Sequence, residues 1–466
     1  MSDMFDSLET KGFIKEYSEL VLESIPTSKD WAEAIAMTVE SVVLGNVKVT
    51  TKIGPLALNI WNLMVGPSGL AYKTTPLIYY VYPTLAEVTE MISKPVIMPS
   101  RFSVEGMIEY VSGGYKTEKG SKKKIWVPGN NEGCIIKDEF TTLFKEAQSK
   151  QYLADIMEFM SELFDGAMQK RFTRKTKLEQ SKRVFISLLA ATTPYLFSVM
   201  DKNFFIQGTG NRILYTIFEP SKPEEFNAEE YFVTGKRERE REAKVSEFAG
   251  KLGKIHDSNL RYIYPMDEAG EMWVKFKAEK DRIAFKRYKT NPQDVVYTYL
   301  QRLPIACLKM AALAAVSRSY ETIPSMRGDT LMIGEEEMIW AINKTEKHLK
   351  YFNLLLEKWE ITPKEIQPEV HERELIRMLV FVKDSGDKML TQSELLSRSS
   401  MVKSKKFYDL IGTLISRGDL EVVPKEEVQA FSRDVMVRHD LVIFKGGEWV
   451  KSYRGQTPNV YRVVIK

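Results

Sequence analysis

From Lys48 to Phe218, short apolar runs alternate with longer stretches whose apolar positions recur at helical spacing. The runs NIWNLMVG, PVIM, GCIIKDEF, VFISLLAATT and RILYTIFEP have the length and β-branched content of buried strands. Between them lie helical patterns, one starting at Thr74 and another through YLADIMEFMSELF. Strands that alternate with helices imply a mainly parallel sheet, since a parallel connection must cross back over it. Residues 48–222 are therefore expected to form an α/β core. Ahead of it, Trp31, Ile35, Val39, Val42 and Val43 recur at helical spacing behind Thr27 or Ser28 as a cap, so 1–47 reads as a helical N-terminal region. After Pro220 the interleaved charges of KREREREAK predict a solvated helix face, and 223–362 reads as mostly helical, including VVYTYLQRLPIACLKMAALAAVSRSY. The proline-marked segment ITPKEIQPEVHE leads to a last domain, 363–466. There ELIRMLVFVK, TQSELLSRS (capped by Thr391) and KSKKFYDLIGTLISRG (stopped by Gly418) predict three helices. DLEVV, LVIFKGGEWV and NVYRVVIK predict strands after them.

Composition narrows the class. With 44% hydrophobic and 28% charged residues in 466, the chain can fill globular cores. No run of about eighteen uncharged apolar residues occurs, and the opening MSDMFDSLETKGFIKEYSEL is too acidic for a signal peptide. The expected setting is cytoplasmic, without a membrane partner. Cys134 and Cys307 sit in apolar surroundings and the four histidines are scattered, which argues against a Cys/His metal site or a disulfide framework. A net charge of +4 matters less than where the cations cluster.

Chemistry concentrates at three strand ends. VGPSGLAYKTT joins a strand to a helix with Gly66, Pro67, Ser68 and Gly69 in the turn, then Lys73, Thr74 and Thr75. A phosphate loop needs inward N–H groups, a helix N-terminus and a lysine. The usual spacing places Lys six residues after the first Gly and puts a Gly just before it. Here Lys73 follows Gly66 by seven and Tyr72 precedes it, so that backbone position must suit a tyrosine. ATP is the expected ligand, with the Thr74 hydroxyl and Asp138 as candidate ligands of Mg2+. GCIIKDEF ends in Asp138 and Glu139, the order in which Asp orients the ion and Glu polarises the attacking water. An acidic pair at a strand end is also common on plain surfaces. LLAATTP places Thr192 and Thr193 at a carboxyl edge, where ligands of open α/β sheets sit. Thr193 is the candidate for a γ-phosphate or water contact, although Thr before Pro also suits a turn. In GTGNRILYTIFEP, Arg212 lies between a glycine-rich loop and a strand, as a finger toward a neighbouring subunit's nucleotide would; a plain acidic partner is the other reading.

The order GPS…KTT, KDEF, LFDG with a basic segment, AATTP and GNRILYTIF resembles the primase- or helicase-associated P-loop ATPases of plasmids, viruses and integrated elements, over about residues 40–330. More distantly it is similar to superfamily 3 and minichromosome-maintenance ring helicases. The resemblance implies an α/β P-loop NTPase core of AAA+/RecA-like type, with 223–362 as a helical lid region and Arg302 as a second phosphate sensor. It also implies a homo-oligomer such as a ring, and a primase or other replication protein as partner. The longer loop departs from those helicases.

Two basic segments fit nucleic-acid contact or, equally, solvated surface loops. YKTEKGSKKK carries Lys122, Lys123 and Lys124, and QKRFTRKTKLEQSKR carries Lys170, Arg171, Arg174 and Lys175. Ring helicases place hairpins at about these points, where cations track a threaded strand. The last domain resembles a winged helix-turn-helix, which implies duplex contacts from Lys403, Lys405 and Lys406 at the start of its third helix. Winged helices also serve as protein-binding modules. The expected function is an ATP-hydrolysing, DNA-binding motor or remodeller in mobile-element replication, acting on single-stranded and duplex DNA. The alternatives are a nucleotide-gated DNA-binding regulator with little hydrolysis and a packaging or segregation ATPase.

Overall fold

The computed structural model describes residues 9–52, 54–117, 124–143, 156–166, 183–196, 203–206, 208–219, 235–292 and 294–361 of the first part of the chain. Beyond these it describes 382, 389–399, 411, 414–415, 419–439, 441–445, 448–451 and 459–463. The chain divides into two compact units, Met1–Trp359 and Glu360–Lys466.

The strands of the first unit are β1 (Lys48–Thr51), β2 (Gly54–Ala57), β3 (Trp61–Val65), β4 (Ile97–Met98), β5 (Gly113–Thr117) and β6 (Lys124–Pro128). They continue with β7 (Glu132–Lys137), β8 (Phe185–Thr192), β9 (Leu214–Ile217), β10 (Tyr262–Pro265) and β11 (Thr330–Ile333). Five of them form a sheet in the order β4-β7-β8-β3-β9, every neighbouring pair parallel. Every residue of β3 and of β8 is buried, as expected when helices cover both faces of a parallel sheet. Side chains alternate between the faces. Met64, Leu189 and Ala191 join one core with the helices Phe13–Leu22 and Lys29–Ser41. Trp61, Leu63, Val65, Leu188 and Ala190 join a second core with the helices Val104–Ser112 and Ile156–Asp165. The expected α/β architecture with a parallel sheet is therefore present.

Between Gly235 and Ile361 the chain is not only helical. β10 and β11 join β1 and β2 in a mixed sheet of order β11-β10-β1-β2, in which β10 runs parallel to β1 and to β11. The reading of this stretch as helical missed both strands. Each is four residues long and is defined by a partner far away in sequence, which periodicity cannot register. The charged sequence from Lys236 does form the helix Gly235–His256, with residues 237–240 exposed. The helix Val295–Ser319 runs through both cores, from Val295 to Leu303 in one and from Cys307 to Val316 in the other. Among the described residues it alone is long and apolar enough to span a membrane, and 78% of that apolar window is buried in the protein.

On either side of residues 118–123, β5 and β6 pair antiparallel, with Lys124 opposite Thr117. Lys122 and Lys123 lie outside the described residues, as do Lys170, Arg171, Arg174 and Lys175.

In the second unit, β12 (Met389–Thr391), β13 (Leu420–Val422) and β16 (Val460–Val463) form an antiparallel sheet of order β12-β16-β13. The run LVIFKGGEWV, expected as one strand, contains two, β14 (Val442–Lys445) and β15 (Glu448–Lys451), paired so that Lys445 faces Glu448. Its Gly446-Gly447 pair is a hairpin signal that a reading for strands alone passes over. Thr391 caps the helix Gln392–Ser399 as expected: its hydroxyl accepts from the Glu394 N–H at 3.3 Å, and the Glu394 carboxylate accepts from the Thr391 N–H at 2.7 Å. Two short helices, Lys425–Gln429 and Arg433–Arg438, were not anticipated. Lys403, Lys405 and Lys406 lie outside the described residues.

Candidate active site

The carboxyl ends of β3, β7 and β8 converge because β8 lies between the other two and its ladder continues past their last paired residues. The Gly66 N–H donates to the Thr192 carbonyl at 3.0 Å, and the Phe140 N–H donates to the Ala191 carbonyl at 2.9 Å. These bonds bring the loop after β3 and the acidic pair after β7 to either side of Thr192. Gly66 is required by packing. A Cβ there would lie 2.7 Å from the Ala71 Cβ, 2.8 Å from the Trp31 ring and 2.9 Å from the Phe218 Cβ. Trp31 is itself fixed by donating its indole N–H to the Thr216 carbonyl at 3.1 Å.

Gly69 and Tyr72 both take positive φ, +87° and +45°. The position before the lysine thus demands the left-handed backbone that glycine supplies freely, and a tyrosine occupies it at a steric cost. Among the described residues, no hydrogen bond takes up the N–H of Ser68, Gly69, Leu70, Ala71, Tyr72, Lys73 or Thr74. Successive N–H groups without internal acceptors at the start of a helical segment are the donors that an anion site uses, and here Ser68, Gly69, Leu70, Tyr72 and Thr74 are exposed to solvent. The segment that follows begins at Thr75 and not at Thr74, winds as a π-helix over Leu77–Val81, and continues as the helix Tyr82–Met91. A π-turn at such a place is commonly associated with function.

The Lys73 ammonium lies 3.8 Å from Glu139 Oε2, with the lysine side chain 10% exposed. Glu139 Oε1 accepts from the Thr192 hydroxyl at 3.1 Å and from the Thr141 N–H at 3.3 Å. Since the single Thr192 proton is committed to Glu139, the Thr141 hydroxyl, 2.7 Å from that of Thr192, must donate to it. One carboxylate oxygen is thereby fixed by the protein, and the other faces the lysine. Asp138 is exposed beside this pair. Its charge adds to burial in pushing the Tyr82 phenol up. Among the described residues no three His, Cys, Asp or Glu side chains cluster. A magnesium ion held by one carboxylate, a hydroxyl and substrate phosphates needs no such cluster, and Asp138 and Thr74 have the donor chemistry for it.

The residue that reaches Glu139 is thus Thr192. Thr193, the sequence candidate, lies one position further on and half-buried. Thr141 was missed, although a hydroxyl two residues past an acidic pair at a strand end is the signal for a group that can fix the second carboxylate.

Arg212 lies at the opposite edge of the sheet. Leu214 is level with Asn62, so Arg212 precedes the strand on its amino side, roughly 20 Å along the strand direction from the Gly66 loop. Its guanidinium grips Asp165 through Nε at 3.2 Å and Nη2 at 2.5 Å, and donates from Nη1 to the Gly208 carbonyl at 2.6 Å. The arginine side chain is 7% exposed and the Asp165 side chain 41%. Arg302 belongs to the same group: burial pushes its guanidinium down, Arg212 adds to the effect and Asp165 opposes it. The structure therefore brings Lys73, Asp138, Glu139 and Thr192 together and separates them from Arg212, and Arg302 keeps Arg212's company.

Lys309 stands beside that group. It is buried, donates to the backbone and side-chain oxygens of Asn59 at 2.8 Å each, and lies 4.2 Å from the centre of the Phe164 ring. Burial pushes its amine down to about 7, against the pull of Asp165.

No protein-family model matches the chain, and comparison with curated proteins gives no match.

Proposed function

We propose that the carboxyl-edge site binds and hydrolyses ATP, and that the protein is a P-loop motor or remodeller acting on DNA. The observation that carries this reading is the open run of N–H groups from Ser68 to Thr74, which includes a lysine, Lys73, that faces a carboxylate held by Thr192 and Thr141. The loop would cradle the phosphates and Lys73 would neutralise the terminal one. Glu139, its Oε1 held in place, would use Oε2 to polarise the attacking water once the lysine turns to phosphate. Asp138 and the Thr74 hydroxyl would hold Mg2+, which supplies charge neutralisation at the phosphates. In this reading the sheet is an AAA+/RecA-like core, the second unit a winged helix, and the setting cytoplasmic.

Arg212, directed away from its own loop, would serve a neighbouring copy's nucleotide, which makes the active form a homo-oligomer. A second reading, a nucleotide-gated regulator with little hydrolysis, is favoured by the Asp165 grip, because Arg212 must leave its carboxylate before it can serve any phosphate.

Measuring ATP turnover with and without single-stranded and duplex DNA separates the two. The motor turns over ATP, is stimulated by DNA and loses turnover by orders of magnitude on Glu139→Gln while still binding ATP. Equal, very slow turnover in the unaltered protein and the Gln variant refutes it.

A further inference from the structure

The mixed sheet β11-β10-β1-β2 buries only one face. Val49, Ile263 and Ile333 point into the core and are wholly buried. By alternation the opposite face carries Lys48 and Thr50 of β1, Tyr262 and Tyr264 of β10, and Thr330 and Met332 of β11. Tyr262 is 41% exposed and Met332 42%, Thr50 and Thr330 are exposed, and Tyr264 and Lys48 are half-buried. The two tyrosine rings stack with centroids 6.4 Å apart and planes 30° from parallel.

Three cations lie on or beside this sheet. Lys48 stands directly across from Tyr262 in the strand register, and Lys52 is exposed just past the end of β1. Arg183 is anchored to the outer strand by donating to the Pro55 carbonyl at 3.0 Å. Among the described residues none of the three forms an ion pair. Asp329, just before β11, is an acidic residue at this end of the sheet, and it accepts from the Thr330 hydroxyl.

We propose that this face binds single-stranded nucleic acid, with bases stacked on Tyr262 and Tyr264 and the phosphate backbone running past Lys48, Lys52 and Arg183. Stacking on an open aromatic ring tolerates every base, and cations follow the backbone without reading sequence. The ring spacing is about twice the ~3.4 Å rise per nucleotide of a stacked strand, so bases two positions apart, and not neighbours, match the two rings. A second copy of the chain would bring like charges together on this face, and an apolar protein segment would meet two rings and one methionine among three cations. The proposal rests on the DNA-directed reading only for the class of partner; its residues are separate from the Lys73 site.

The test is fluorescence anisotropy of a labelled oligothymidylate of about 20 nucleotides, titrated with the full chain without ATP at several salt concentrations. Replacing both tyrosines by Ala should weaken binding about tenfold or more and leave the salt dependence unchanged, while replacing both by Phe should preserve it. Lys48→Gln should lower the log-log salt slope by about one unit. Lys73→Ala should bind the oligonucleotide like the unaltered protein. If the Ala pair binds as tightly as the unaltered protein, or the unaltered protein does not bind at low salt, the proposal falls, whatever the ATP turnover. If tyrosine-dependent binding is found in a protein without turnover, this proposal stands and the ATPase reading falls.

Discussion

Tyr72 illustrates what one residue costs at a site. Its φ of +45° lies in the left-handed region, which disfavours residues with a Cβ by about 1–2 kcal/mol. Gly at this position would remove that cost while adding roughly 0.5–1 kcal/mol of unfolded-chain entropy. Tyr72→Gly is therefore expected to leave the urea midpoint unchanged or slightly raised, and Tyr72→Val to lower stability by more than 1 kcal/mol. A clear loss with Gly would mean that the ring, 44% exposed, has a packing role that its surroundings do not suggest. The need for a special conformation before Lys73 was legible in the missing glycine. The hydroxyl relay from Thr141 through Thr192 to Glu139 was not, because it depends on which strand ends become neighbours.

Among the elements, the buried parallel strands were readable because apolar runs bounded by turn residues carry their own signal: β3, β4, β8 and β9 fall inside the predicted runs, and β7 starts one residue ahead of its run. β10 and β11 carry no such signal: β10 pairs with β1 across more than two hundred positions, and β11 pairs in turn with β10. The helix Val295–Ser319 hides a different feature, since nothing in ACLKMAAL says that Lys309 is buried. Burial lowers its amine from an ordinary 10.5 to about 7 in the folded protein. A lowered folded value means that the stability contribution is full above about 10.5 and is lost as pH falls through about 7. Lys309→Met should therefore gain stability relative to the unaltered protein as pH falls from 10 to 7, by an amount below an upper bound of roughly 5 kcal/mol. Unfolding free energies of both proteins across that range check it. A difference that does not vary with pH would show that the folded and unfolded amines titrate alike.

On the scale of the whole molecule, the parallel sheet separates two chemistries, a lysine and carboxylates at one edge and arginines around Asp165 at the other. That separation makes sense if neighbouring copies meet edge to edge. Arg212→Ala should then abolish turnover in the assembly, and mixing it with Lys73→Ala protein should restore part, because one copy supplies the loop and the other the arginine. No restoration, together with lost turnover in a proven monomer, would place Arg212 in a role within its own chain. Lys122, Lys123, Lys170, Arg171, Arg174, Lys175, Lys403, Lys405 and Lys406 lie outside the described residues, so motif order, and not geometry, is what points them to DNA. The central claim remains that the loop from Gly66 to Thr74 holds ATP, and calorimetric titration of Mg-ATP into the unaltered protein and Lys73→Ala tests it most directly. The account predicts saturable binding that weakens at least about tenfold in the variant while its thermal unfolding is unchanged, as loss of a charge-assisted phosphate contact requires. Equal affinity in the two proteins, or no binding in either, would contradict it.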